Sequence, residues 1–158
     1  MNDAVGIADA KMDAVSGVGE HVPDEGSRDG RPAAIELTIP AQARFVASAR
    51  LVAAALAADL SFSIDDIEEL RIGVDEALTL LIEAQPAGAS IRVVFTIGDE
   101  RPGRLTIEGA SLEPSATPMR PAVDALVRRI LDAVTDAFEV HADRFVLHKE
   151  ATHAASSK

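Results

Sequence analysis

The clearest pattern in the chain lies between Ser63 and about Gln85, where Ile67, Leu70, Val74, Leu78 and Leu81 recur at spacings of three and four. That period puts all five on one side of a helix and predicts that they face a core. Ser63, with Asp66 three residues on, has the form of a capping box. Asp65, Asp66, Glu68 and Glu69 place negative charge at the positive end of the helix dipole. Pro86 and Gly88 stop the helix.

Strand patterns flank it. Ile35, Leu37 and Ile39 alternate with polar residues and predict a half-buried strand ending at Pro40. Gln42 to about Asp59 reads as an alanine-rich helix with Phe45, Val52 and Leu56 on its apolar face. Ile91, Val93, Phe95 and Ile97 alternate in the same way, and after a turn from Gly98 to Gly103 so does Leu105-Thr106-Ile107, which predicts a hairpin.

Glu108 to Pro118 reads as a loop, and Pro121 suits the first turn of a helix that buries Val123, Leu126, Val127, Ile130, Leu131 and Val134. Phe138 to His141 and Arg144 to Lys149 are short final strands. Helices do not alternate one for one with strands, so the order predicts an α+β fold, a two-layer sandwich with a mostly antiparallel sheet covered on one face by helices.

Composition narrows the chemistry. Residues 1–33 are rich in Gly, Asp, Ala and Ser without apolar period, which predicts a disordered acidic tail; residues 34–150 form the folded domain, and 151–158 a disordered end. The chain has 158 residues and no Cys, so disulfides, thiolate metal sites and cysteine nucleophiles are excluded and a reducing cytoplasm is expected. No stretch reaches the roughly 20 apolar residues that span a bilayer. Net charge is −11, and Ser63 to Gln85 alone holds seven acids against Arg71. Phosphate-backbone binding needs a basic face, so direct nucleic-acid binding is disfavoured and a basic protein partner is favoured.

The element order, together with LRIGVDEALTLLI, resembles the anti-sigma-factor serine kinases of the GHKL (Bergerat, histidine-kinase-like) ATPase superfamily, in a divergent actinobacterial form, over about Ile35 to Lys149. In that family the helix carries an E-A-x-x-N box whose Glu is the base and whose Asn binds magnesium. Glu76-Ala77 matches the box, and Leu80 stands at the Asn position. The first glycine box falls at Glu108-Gly109-Ala110-Ser111-Leu112, so the resemblance assigns Glu108 and Gly109 to adenine binding; the second, around Arg120 to Leu126, contains no glycine. A side chain in place of those glycines obstructs phosphate approach to the backbone.

The resemblance implies a regulator that sequesters a sigma factor and is released by an anti-anti-sigma antagonist of the STAS type, in a chain that can form a homodimer. ATP with magnesium is the implied cofactor, and phosphorylation of a serine on the antagonist is the implied kinase activity, with Glu76 as base.

Glu76 lies almost opposite the apolar stripe, flanked by Ile72 and Leu80, at about 100° per residue. It is either a base in an apolar cleft or a solvated acid. Asp65, Asp66, Glu69 and Asp75 are either a docking face for the basic partner or, in the first turn, ordinary complements to the dipole. His21, His141, His148 and His153 lack the pairing of a metal site, and Ser111, Ser115 and Thr117 lack an accompanying His.

Overall fold

In the computed structural model, which describes residues 32–98, 102–113 and 124–152, five strands form one sheet in the order β1-β2-β3-β5-β4. They are β1 Ala33–Pro40, β2 Ser90–Gly98, β3 Arg104–Ser111, β4 Ala137–Val140 and β5 Arg144–Glu150, and every pairing is antiparallel. The helices are α1 Val46–Asp59, after a 3₁₀ turn at Ala43–Phe45, α2 Ile64–Glu83 and α3 Ala125–Val134. The architecture is the expected α+β two-layer sandwich.

Alternation along the strands decides which sheet face meets the helices. Ile39, Ile91, Val93, Phe95, Leu105, Ile107, Phe145 and Leu147 are buried on one face. Glu36, Thr38, Arg92, Glu108 and Arg144 occupy the other and are exposed. A one-residue slip of register would exchange these sets, so the apolar period itself locks the pairing.

α2 forms the centre of the helical layer. Leu70, Val74, Leu78 and Leu81 of the predicted stripe are buried and Ile67 is half-buried. The capping box is present as a reciprocal pair: Asp66 N donates to Ser63 Oγ (3.0 Å), and Ser63 N donates to Asp66 Oδ2 (3.2 Å). Such a cap contributes about 1 kcal/mol. Gly73, costly in mid-helix by about 1 kcal/mol, is where α2 meets the end of α3: a Cβ there would lie 3.0 Å from Thr135 Cγ2 and 3.4 Å from Val134 Cγ2.

Several boundaries and faces differ from the sequence pattern. α1 buries Val46, Ala49, Ala53, Leu56 and Ala57, while Phe45 and Val52 are only half-buried. Alanine fits either environment, so large residues alone misplace the face of an alanine-rich helix, which packs here closely against α2. In α3, Leu131 and Val134 are buried but Leu126 is 66% exposed. That helix begins after Asp124, whose Oδ1 accepts from Leu126 N and Val127 N (2.9 Å each). Pro121 and Val123, the 114–118 part of the loop and the tail up to residue 31 lie outside the described residues.

The loop expected from Glu108 is corrected over its first four residues. β3 runs on to Ser111 because Val94 and Val93 of β2, and Val146 and Phe145 of β5, bracket Glu108 and Gly109 in register. Gly109 is the residue that permits this. A Cβ there would overlap the ring of Phe145, so the missing side chain makes room for an aromatic core residue. At the other end order extends past Glu150: Ala151 N donates to Gly103 O (2.8 Å), and Thr152 reaches α2.

Candidate functional site

The outer face of α2 carries the sequence-marked residues. Arg50 of α1 pairs with Asp75 (Nη1–Oδ1 3.0 Å), and Arg71 pairs with Glu68 (Nη1–Oε1 2.6 Å). These two pairs, with Ile72 and Glu76, line a groove of about 260 Å³. Ile72 is 45% exposed. Glu76 is half-buried and, among the described residues, has no hydrogen bond or ion pair. It is thus a free carboxylate beside an apolar side chain, between the two readings that the sequence left open.

Leu80, one turn further on, is only 6% exposed. Burial of an apolar residue at this position excludes it as a ligand for a hard cation, which requires oxygen donors. Among the described residues no group of three or more His, Asp or Glu is arranged to hold a metal ion.

The four carboxylates expected to form a docking face separate into different roles. Asp65 is exposed and unpartnered among the described residues. Asp66 is 3% exposed and its Oδ2 accepts from Ser63 N, Ser63 Oγ (2.7 Å), Thr152 N (3.2 Å) and Thr152 Oγ1 (2.6 Å). Burial opposes its ionisation, but the hydrogen bonds from Thr152 and Ser63 outweigh that cost and hold the carboxyl below its usual value of 3.8. Glu69 accepts from the buried Lys149 (Nζ–Oε2 2.5 Å), which also lies 3.9 Å from Asp66 Oδ1. Asp75 is held by Arg50.

Asp66 therefore belongs to the fold and not to a surface. Its role could be read from Ser63 alone, but Lys149 and Thr152 are more than 80 positions away. No local pattern announces them.

Glu108 and Gly109 are adjacent on a strand, so they address opposite faces of the sheet. Glu108 is exposed on the face turned away from the helices, and Gly109 is filled over by Phe145. The sheet thus separates Glu108 from Glu76. At the start of α3, the first-turn amides are bonded to the chain's own Asp124, an N-cap whose preference for that position was readable in the sequence. Leu80, Gly109 and Asp124 do not offer what a magnesium nucleotide requires: oxygen ligands, an open glycine backbone and free amides at a helix end.

The architecture is consistent with a GHKL-like two-layer sandwich, and the sequence comparisons point the same way. No protein-family model matches the chain. It is similar to proteins named serine-protein kinase RsbW: 35% identical over 72 residues to that of Halalkalibacterium halodurans, covering 45% of this chain and 44% of that protein. It is 37% identical over 70 residues to one from Bacillus cereus strain B4264, and 43% identical over 70 residues to one from Bacillus thuringiensis strain Al Hakam; each match covers 42% of this chain and 43% of the relative. The chain thus matches somewhat less than half the length of these relatives.

Proposed function

We propose that this chain is an anti-sigma-factor-like regulator that sequesters a sigma factor without a working magnesium-nucleotide site. The observation that supports it best is the pairing of a retained Glu76 with a buried Leu80 four residues later, in a chain similar to serine-protein kinases. The helix keeps its architecture and its acidic outer face while the metal ligand is gone. Docking falls first to Asp65 and Glu76, since Asp66 is consumed by the fold and Glu69 and Asp75 are already paired with Lys149 and Arg50. A sigma factor is a suitable partner because a DNA-binding protein presents basic surface. A STAS-type antagonist as the releasing partner, and a homodimer as the assembled form, belong to the same proposal.

Pull-down against the host's sigma factors tests it. Wild type captures one of them, and charge reversal at Asp65 and Glu76, neither of which is paired among the described residues, weakens capture in a salt-dependent way. A wild-type chain that retains none of them refutes the proposal.

The second reading is an ATP-dependent serine kinase acting on the antagonist, favoured by the kinase name of the relatives and by the free Glu76 carboxylate in its groove. ATP with magnesium would then raise the melting temperature, and Glu76→Ala would abolish phosphate transfer to a serine of the antagonist. Absence of any ATP-dependent shift rules this reading out.

A further inference from the structure

The sheet edge opposite β1 carries features that the α2 face does not explain. Among the described residues β4 pairs with β5 alone. His141 N donates to Arg144 O (2.8 Å), and the register sets Glu139 against Val146 and Ala137 against His148. Hydrogen-bonded pairs alternate along an antiparallel ladder. Ala137 and Glu139 therefore spend their backbone groups on β5, and Phe138 and Val140 turn theirs outward. The other side of β5 agrees in phase: Ser111 N donates to Asp143 O (2.8 Å), which gives Phe145 and Leu147 to β3 and leaves Val146 and His148 for β4.

Beside this free edge runs a groove of about 240 Å³ lined by Arg128, Phe138, Glu139, Val140 and His141. Phe138 and Val140 pack against the core with one side and remain half-buried. Glu139 is turned toward His141 (3.6 Å). The Arg128 guanidinium, from α3, is exposed and without an ion pair among the described residues. Sheets often blunt an edge by keeping it short or by placing Lys or Pro on it. β4 is short, but its outward backbone groups belong to two apolar residues beside a cleft with a free cation.

We propose that the β4 edge is a docking site for an extended acidic segment of a partner protein, which adds as a strand beside Phe138 and Val140. Its main chain bonds the outward N–H and C=O groups, an aliphatic side chain fills the groove, and a carboxylate meets Arg128. This is strand addition with one charged selector. The sign is opposite to that of the α2 face, so the site is independent of the sigma-factor reading and survives its failure.

Titration of the isotope-labelled full chain with three short peptides tests this by amide chemical shifts. One alternates valine with glutamate, one alternates valine with lysine, and one is a glutamate-proline sequence unable to pair. The valine-glutamate peptide shifts Phe138, Val140 and His141 and leaves Glu36 and Thr38, on the other sheet edge, unmoved. The lysine peptide binds about tenfold more weakly and the proline peptide not at all. Arg128→Glu reverses the charge preference, and Val140→Pro, which removes an outward N–H without breaking the β5 ladder, abolishes binding. Shifts that are absent, shared equally with β1, or undiminished in both variants overturn the proposal.

Discussion

The Thr152 hydroxyl donates to Asp66 Oδ2 at 2.6 Å, joining two residues separated by 86 positions. The same oxygen accepts from the Ser63 backbone and side chain, so one carboxylate both closes the α2 capping box and anchors the chain after β5. Lys149, 5% exposed at the end of β5, adds its ammonium to Glu69 and Asp66. The first turn of α2 is thereby held to the last strand, which places the rest of that helix, with Glu76, over the sheet.

Loss of this junction has a defined pH signature. The Asp66 carboxyl is held below its usual 3.8 in the folded chain, so its contribution is present above that value and is lost as pH falls through the folded-state value. Asp66→Asn should lower stability at neutral pH by about 1–3 kcal/mol, the range for an unbalanced buried hydrogen-bond site, and should flatten acid unfolding below about pH 4. Denaturant melts between neutral and acid pH check it. A variant with wild-type stability at neutral pH contradicts the assignment.

Gly109 is kept for space and not for backbone freedom. Gly109→Val should destabilise by about 1–3 kcal/mol through overpacking against Phe145. Combining it with Phe145→Leu should recover part of the loss, a coupling that a nucleotide-binding glycine would not show. Thermal melts of the single and double variants measure it.

Ser61 adopts φ 63° at the end of α1, where Ser61 N donates to Ala58 O and Phe62 N to Ala57 O (3.0 Å each). The left-handed conformation costs a residue with a Cβ about 1–2 kcal/mol, and glycine loses part of that advantage through unfolded-chain entropy. Ser61→Gly should therefore stabilise by about 0.5–1 kcal/mol, read as a higher denaturant midpoint at unchanged slope.

Leu80→Asn restores the residue type of the E-A-x-x-N box but places an amide in a buried position. The expected result is a loss of about 2–4 kcal/mol from lost apolar burial and an unsatisfied polar group. Magnesium with ATP should not raise the variant's melting temperature, because Asp124 still occupies the α3 amides. A magnesium-dependent rise would show that Leu80 alone separates this chain from a nucleotide-binding one.

Periodicity and local chemistry carried most of the fold. The Ile67-to-Leu81 stripe, the Ser63–Asp66 box and the alternation in β1, β2 and the start of β3 are short-range patterns, because side-chain direction in helices and strands repeats every few residues. They were sufficient for the α+β class, the single helical layer and the position of Glu76. The alanine face of α1 and the exposed Leu126 were not legible, since alanine reports burial poorly and an apolar period does not say how much of a helix is covered.

What tertiary structure decided is how each charge and each glycine is used. Asp65, Asp66, Glu69 and Asp75 look alike as acids of one helix, yet Thr152, Lys149 and Arg50 give three of them partners within the fold. Gly109 reads as a loop glycine until the register sets it under Phe145. Both outcomes depend on residues brought together by sheet pairing and helix packing, and the energies involved arise only when those distant groups meet, most strongly where they are buried, as at Asp66, Lys149 and Phe145. The sequence by itself determined the elements and the acidic helix; the packed fold determined which acids remain free to meet a partner.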